Sequence, residues 1–311
     1  MSIRNRSSIT GAVAVCVSAA LWGFDGVVLT PNLFNLNVAY VVFMLHLIPF
    51  VLMHFFLGGQ YRYLKIFSRS DYIFLFLIAL FGGATGTLAI VHALFLVEFQ
   101  KLTVVVLLQK LQPVFVIILA MIILGEKPRR NYYFWASMAL VSAYFLTFGF
   151  QLPNLDVGRN DTLAALYALL AAFSFGSATV FGKKILNTVP VHTATFFRFG
   201  FTTLIMLMVV LVTGQLEWIA QTTPTNWLIF FVIAITTGSG AIFLYYYGLR
   251  KVRATVAAIC ELCFPFSAIL FDYIFNNQLL DVVQWVSAGF LLFAIIMLNL
   301  QGSQTHSSNS K

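Results

Sequence analysis

Apolar runs of about 20 residues, the length a helix needs to cross the roughly 30 Å hydrocarbon core of a bilayer, recur along the chain between short polar or basic connections. Barrel strands would instead alternate apolar and polar positions over about ten residues, and no such alternation is present. The pattern predicts an all-α integral membrane protein with ten spans, at about 9–29, 36–57, 72–97, 102–124, 132–150, 162–181, 191–212, 227–249, 254–275 and 282–300. The first run continues through Trp22-Gly23-Phe24-Asp25 to Thr30-Pro31, longer than the core of a cleaved signal peptide, and is read as a retained helix. The organisation expected is a five-helix unit over 1–150, an external polar connection over 151–161, a second five-helix unit over 162–300 and a polar, disordered cytoplasmic tail over 301–311.

The fourth run is interrupted by Gln109-Lys110-Leu111-Gln112-Pro113. A cation, two amides and a proline are all costly inside lipid, so the stretch is a functional candidate. Lys110 lies about 12 Å from the outer end of its helix at 1.5 Å per residue, and Glu261 reaches a similar depth from the inner end of the ninth. Gln109 stands four residues before Pro113 and Glu261 four before Pro265, the spacing at which a proline leaves a carbonyl without its helical donor. Each of these spans therefore brings a polar side chain and a freed carbonyl to one layer. The functional reading is a binding or coupling layer with Pro113 and Pro265 as hinges and Lys110 and Glu261 as partners. The alternative is an ion pair that only fixes helix packing.

Composition agrees with a membrane protein: 60% of residues are hydrophobic and 9% charged, against about 25% charged in soluble domains. The net charge of +8 serves topology rather than nucleic acid, because it is distributed by side. Arg4, Arg6, Arg62, Lys65, Arg69, Lys127, Arg129, Arg130, Lys183, Lys184, Arg250, Lys251, Arg253 and Lys311 fall on one side of the predicted spans, and only Lys101 and Arg159 on the other. Both termini are thereby placed in the cytoplasm and the chain in the cytoplasmic (inner) membrane. Cys260 and Cys263 form a Cys-x-x-Cys within a span, read as packing. No phosphate-cradling glycine loop is present, which argues against ATP-driven transport, and no metal or cofactor is implied.

Sliding one half over the other aligns Ala19-Ala20 with Ala171-Ala172, Thr103 with Thr255 and Pro113 with Pro265 at a single offset, and Gly83 with Gly238 at a slightly larger one. Two units with an odd number of spans lie in opposite orientations, the inverted repeat typical of secondary transporters. The marks Ala20-Leu21-Trp22-Gly23, Pro113-Val114-Phe115 running to Leu124-Gly125-Glu126, and Arg198-Phe199 resemble the drug/metabolite transporter (DMT) superfamily, EamA type. That resemblance covers nearly the whole chain. It implies a ten-helix carrier with a central cavity and alternating access for small metabolites such as amino acids. The sequence departs from the pattern at Asn276-Asn277, where the first half has Gly125-Glu126, and at His46 or Phe43, which stand opposite Arg198.

Substrate-binding candidates are Lys110, Gln109, Glu261, Trp22, Asp25, Arg198 and Tyr245, with Glu261 also the proton-coupling candidate. Arg198 faces a cavity or snorkels toward the cytoplasmic surface. His46 is a proton carrier or, more ordinarily, packing. Asp272 and Glu98 are read as solvated charges near the outer interface. Lys110 and Arg198 balanced by Asp25 and Glu261 favour a zwitterion, most simply an amino acid, over a polyamine or a polyanion. A membrane-embedded enzyme would cluster its His or Asp residues at a helix end, and a channel would repeat polar rings; both stand as alternatives to a carrier.

Overall fold

The computed structural model describes residues 3–96, 105, 108–150, 159–276 and 281–304. Glu98, Lys101, Thr103, most of the expected connection (151–158) and the end of the expected tail (305–311) lie outside the described residues. The described residues are helical throughout, with no strand among them. Helix α1 (Ile3–Phe24) runs into a π-helical turn, Asp25–Leu29, and a 3-10 turn, Thr30–Leu33. Then come α2 (Val38–Leu57), α3 (Arg69–Leu77), the π-helical turn Ile78–Thr85, α4 (Gly86–Leu96), α5 (Gln112–Ile123) and α6 (Arg130–Phe148). The second half contributes α7 (Arg159–Ile185), α8 (Val191–Val212), α9 (Pro224–Ile233), the π-helical turn Ala234–Gly238, α10 (Ser239–Lys251), α11 (Ala254–Cys260), α12 (Cys263–Asn276) and α13 (Val282–Gln304). The last helix thus runs four residues into the tail expected to be disordered.

Local chemistry accounts for several of the starts. Asn37 Oδ1 accepts from the Ala39 amide at 2.9 Å and opens α2. Ser68 with Asp71, and Thr223 with Asn226, make reciprocal capping boxes that open α3 and α9, the latter with Pro224 in its first turn. Gly125, at φ 66°, adopts the left-handed conformation that closes α5.

Seven helices among the described residues are long and apolar enough to cross a membrane, rather than the ten expected: Ser7–Leu33, Val38–Lys65, Arg69–Leu96, Thr162–Ile185, Val191–Val212, Pro224–Lys251 and Ala254–Phe275. At the three other expected positions stand α5, α6 and α13. Helix α5 is short because its span is broken at Lys110-Leu111, and its earlier part falls largely outside the described residues.

The two halves pack by exchange. Helix α1 lies on α10 and α12 of the second half, while α7, its counterpart, lies on α4 and α5 of the first; α2 pairs with α8, and α6 with α13. The pairs α6 with α13 and α4 with α7 run antiparallel, as shown by Trp135 against Phe293 with Leu146 against Gln284, and by His92 against Tyr167 with Gly82 against Ala178. Small residues permit the approach: a Cβ on Gly248 would fall 2.5 Å from the Gly11 carbonyl oxygen, and one on Gly11 would fall 2.7 Å from Lys251 Cβ. The same irregularities recur in both halves. A π-helical turn interrupts the third span at Ile78–Thr85 and the eighth at Ala234–Gly238, and a non-helical turn interrupts the fourth at Lys110-Leu111 and the ninth at Glu261-Leu262.

Candidate functional site

The two broken spans meet at their breaks. On the second-half side, Phe264 N donates to Glu261 O at 2.9 Å and Leu262 N to Ile259 O at 3.1 Å, short-range bonds that close the turn before Pro265 in the first turn of α12. On the first-half side, Leu111 N donates to Leu108 O at 3.1 Å and Val114 N to Leu111 O at 2.9 Å, with Pro113 in the first turn of α5. Each proline thus lies where a new helix begins, the position that tolerates a missing amide hydrogen. The expected hinges therefore stand at true interruptions of the helix.

At this junction the Glu261 carboxylate accepts three hydrogen bonds: from Gln112 Nε2 at 2.5 Å, from Tyr245 OH at 2.6 Å and from Thr179 Oγ1 at 3.4 Å. Tyr245 OH also lies 2.8 Å from Thr179 Oγ1, so α5, α7 and α10 each send a donor to one acid. The ring of Trp22 packs on Tyr245 at 5.3 Å between centroids, and its Nε1 donates to Thr237 O at 3.1 Å. That carbonyl lies within the π-helical turn of the eighth span, where the wider helix leaves carbonyls for outside donors. Glu261, Gln109, Gln112, Lys110 and Trp22 are half-buried, whereas Thr179 and Tyr245 are buried.

The structure revises the expected pairing. Glu261 is held by Gln112, while Lys110 Nζ donates to Ala143 O at 3.3 Å on α6. The turn at Lys110-Leu111 changes the register, so the amide after the break takes the place expected for the cation before it. Arg198 does not snorkel. It is 8% exposed, its Nη1 donates to Tyr246 OH at 3.1 Å and its Nη2 to Gly82 O at 3.2 Å in the π-helical turn of the third span. The guanidinium also lies 5.5 Å from the Tyr246 ring centroid. A Cβ on Gly82 would fall 3.2 Å from that guanidinium, which is why the backbone can come so close. His46 Nδ1 bonds to Val42 O at 2.8 Å within its own helix and its ring packs on Phe199, the packing role. Asp25 Oδ1 accepts from Thr30 Oγ1 at 3.2 Å.

Two groups were missed from sequence. Thr179 looked like an ordinary small polar residue in a helix, with nothing to single it out. Glu126 reaches across to the other half, accepting from Ala254 N at 2.7 Å, Thr255 N at 3.2 Å and Thr255 Oγ1 at 2.7 Å, and so caps α11, at whose far end Glu261 stands. The apolar cluster of Val116, Ala120, Val180, Ala254 and Ala258 fills the space between this cap and the break. The end of the bundle nearest Glu126 is therefore closed. Lys183 Nζ, donating to Leu249 O at 2.9 Å and Arg250 O at 3.0 Å, adds a further tie on the same side.

Comparison with known proteins agrees with this architecture. The EamA-like transporter family profile matches twice, over residues 9–148 and 162–300. The riboflavin transporter ImpX of Fusobacterium nucleatum subsp. nucleatum is 52% identical over 292 residues, covering 94% of this chain and 98% of that protein. An uncharacterized transporter of Synechocystis, sll1164, is 26% identical over 261 residues, covering 79% of this chain and 70% of that protein. A crystal structure superposes with a TM-score of 0.70 at 14% identity, covering 94% of this chain and 98% of that one, a likeness of fold.

Proposed function

Because the chain belongs to the EamA-like transporter family, we propose that it carries riboflavin across the cytoplasmic membrane by alternating access between its two halves. The observation that carries this reading is the Glu261 carboxylate held by Gln112, Tyr245 and Thr179 where the two broken spans meet, beside the Trp22 ring. Riboflavin offers a flat aromatic ring system, an imide N–H and ring carbonyls. Trp22 and Tyr245 supply faces for stacking, the Glu261 carboxylate accepts from the imide, and the Gln112 amide donates to a ring carbonyl. Gln109 and Lys110, in the next turn, suit the hydroxyls of the ribityl chain. The 52% identity to a riboflavin transporter over nearly all of both chains supports the same choice.

An amino acid zwitterion, suggested by the balance of Lys110 and Arg198 against Asp25 and Glu261, is the second reading. What favours it is that Lys110 and Glu261 occupy the same pair of breaks, offering opposite charges to the two ends of such a substrate. Both readings use the same groups, and in either the Glu261 carboxylate changes partners when substrate arrives. Proton coupling would require that exchange to carry a proton, which Glu261→Gln tests. The basic residues at the Glu126 end favour a cytoplasmic position for that end and for both termini.

The test is uptake of radiolabelled riboflavin into proteoliposomes, with unlabelled riboflavin or a mixture of amino acids as competitor. Uptake diluted by unlabelled riboflavin and untouched by amino acids supports the flavin reading, and no riboflavin uptake alongside saturable uptake of labelled amino acids replaces it with the second. Acceleration by unlabelled substrate on the far side marks a carrier rather than a channel. Recovery of unaltered riboflavin excludes an enzyme.

A further inference from the structure

We propose that Arg198 is a positioning residue for the site at Glu261: it clasps the π-helical turn of the third span to Tyr246 and so fixes where the neighbouring Tyr245 stands. A guanidinium inside a span is costly, and packing alone is a poor reason for this one. Among the described residues Arg198 makes no ion pair, and its Nε is buried without a hydrogen-bond partner. A buried charge that leaves a donor unsatisfied adds little to stability compared with an apolar side chain of similar volume. What it does secure is the relative placement of the two groups held by its fork.

Those two groups are Tyr246 OH, 3.1 Å from Nη1, and Gly82 O, 3.2 Å from Nη2. One turn further along α8, Thr202 Oγ1 donates to Ala79 O at 3.2 Å, so two carbonyls of one π-helical turn are bonded from the same helix. A Cβ on Gly82 would fall 2.7 Å from Ala178 Cβ as well as 3.2 Å from Nη2, and the approach depends on its absence. At the other end of the fork Tyr246 is fully buried and follows Tyr245, whose hydroxyl donates to Glu261 at 2.6 Å. The two tyrosine rings lie 5.9 Å apart. In a close-packed interior one of them cannot shift without the other.

The opposite half repeats the device. Trp22, from the first half, donates to Thr237 O in the π-helical turn of the eighth span and packs on Tyr245. Arg198, from the second half, donates to Gly82 O in the π-helical turn of the third and bonds Tyr246. Each of these turns is thus held by a donor from the other half, and both donors end on adjacent tyrosines of α10. A movement of the third span is felt at Tyr245 through Arg198 and Tyr246. Lysine cannot replace the fork, because an ammonium is a point charge without two fixed, diverging donors. The consequence for substrate rests on the proposed carrier function; the clasp itself does not.

The experiment is a double-mutant cycle read by isothermal titration of riboflavin into the purified full chain as wild type, Tyr246→Phe, Tyr245→Phe and the pair. Tyr246→Phe keeps the ring and removes the acceptor for Nη1. It should weaken binding about fivefold in the wild-type background and less than about twofold beside Tyr245→Phe, where no hydroxyl is left to position. Equal losses in both backgrounds are what a purely structural role gives, and they overturn the proposal, as does no loss in either. Arg198→Lys should lose as much as Tyr246→Phe, and wild-type affinity with lysine overturns it too; if that variant does not fold, the tyrosine cycle decides alone. Hydrogen exchange without ligand supplies the second readout: residues 78–85 should exchange faster in Tyr246→Phe, although the substitution lies at the other end of the fork. Unchanged exchange there overturns the clasp whatever the protein binds. A wild type that binds no riboflavin while exchange over 78–85 responds counts against the flavin reading and leaves the clasp standing.

Discussion

Gln112 Nε2 lies 2.5 Å from Glu261 Oε2, a hydrogen bond between an amide of the first half and a carboxylate of the second, made where both of their spans are broken. This contact joins the two units that the proposed alternating access has to move apart. The expected consequences follow from this junction outward.

Tyr245→Phe keeps the ring against Trp22 and removes one donor to Glu261. Loss of a hydrogen bond to a charged group costs about 1.5–3 kcal/mol, so KM for riboflavin should rise about tenfold or more while the protein still assembles. Transport kinetics in proteoliposomes give the answer; an unchanged KM removes Tyr245 from the site.

Glu126→Ala deletes the cap on α11 and one of the ties between the halves. A lost N-cap costs about 1–2 kcal/mol, and the melting temperature in detergent should fall by about a few degrees. The same change should loosen the closed end, so that a cysteine placed at Ala258, 1% exposed here, reacts faster with a small thiol reagent in the variant than in its absence. Equal labelling rates would separate the cap from the closure.

Gly83→Ala should destabilise the bundle, because the new Cβ would fall 2.0 Å from Thr202 Oγ1 and 2.6 Å from its Cγ2. Overpacking of this kind typically costs about 1–3 kcal/mol. Adding Thr202→Ala, which removes both atoms, should restore part of the loss in a thermal melt. No recovery would mean that the third and seventh spans do not approach as closely as described.

Topology is tested with a cysteine at Asn160, exposed at the start of α7. An impermeant thiol reagent should label it in intact cells. Labelling only after lysis would invert the orientation read from the basic residues.

The site was legible in sequence wherever its residues are expensive in lipid. Lys110, Glu261 and Arg198 stand out because charge in a span needs a reason, and Pro113 and Pro265 because a proline marks a break. What the sequence could not supply was the angular register after each break. An unbroken helix through 109–113 would not show that Gln112 is the residue that meets Glu261, and the turn at Lys110-Leu111 decides it. Thr179 and Glu126 escaped for a different reason: threonines are common in spans, and Glu126 stands in the sequence only as a mark of the family resemblance, its partners on the other half being visible only in the fold. At α5 the break at Lys110-Leu111 leaves a short helix among the described residues where the apolar pattern gives one long run.

The account stands most directly on whether Glu261 holds a flavin. Isothermal titration of riboflavin into the purified wild type and Glu261→Gln, with the neutral isostere leaving the fold and the Gln112 contact in place, measures it. The account predicts saturable binding to the wild type and an affinity at least about tenfold weaker in the variant, since the imide loses a charged acceptor. Equal affinities, or no riboflavin binding alongside clear binding of an amino acid, would contradict it.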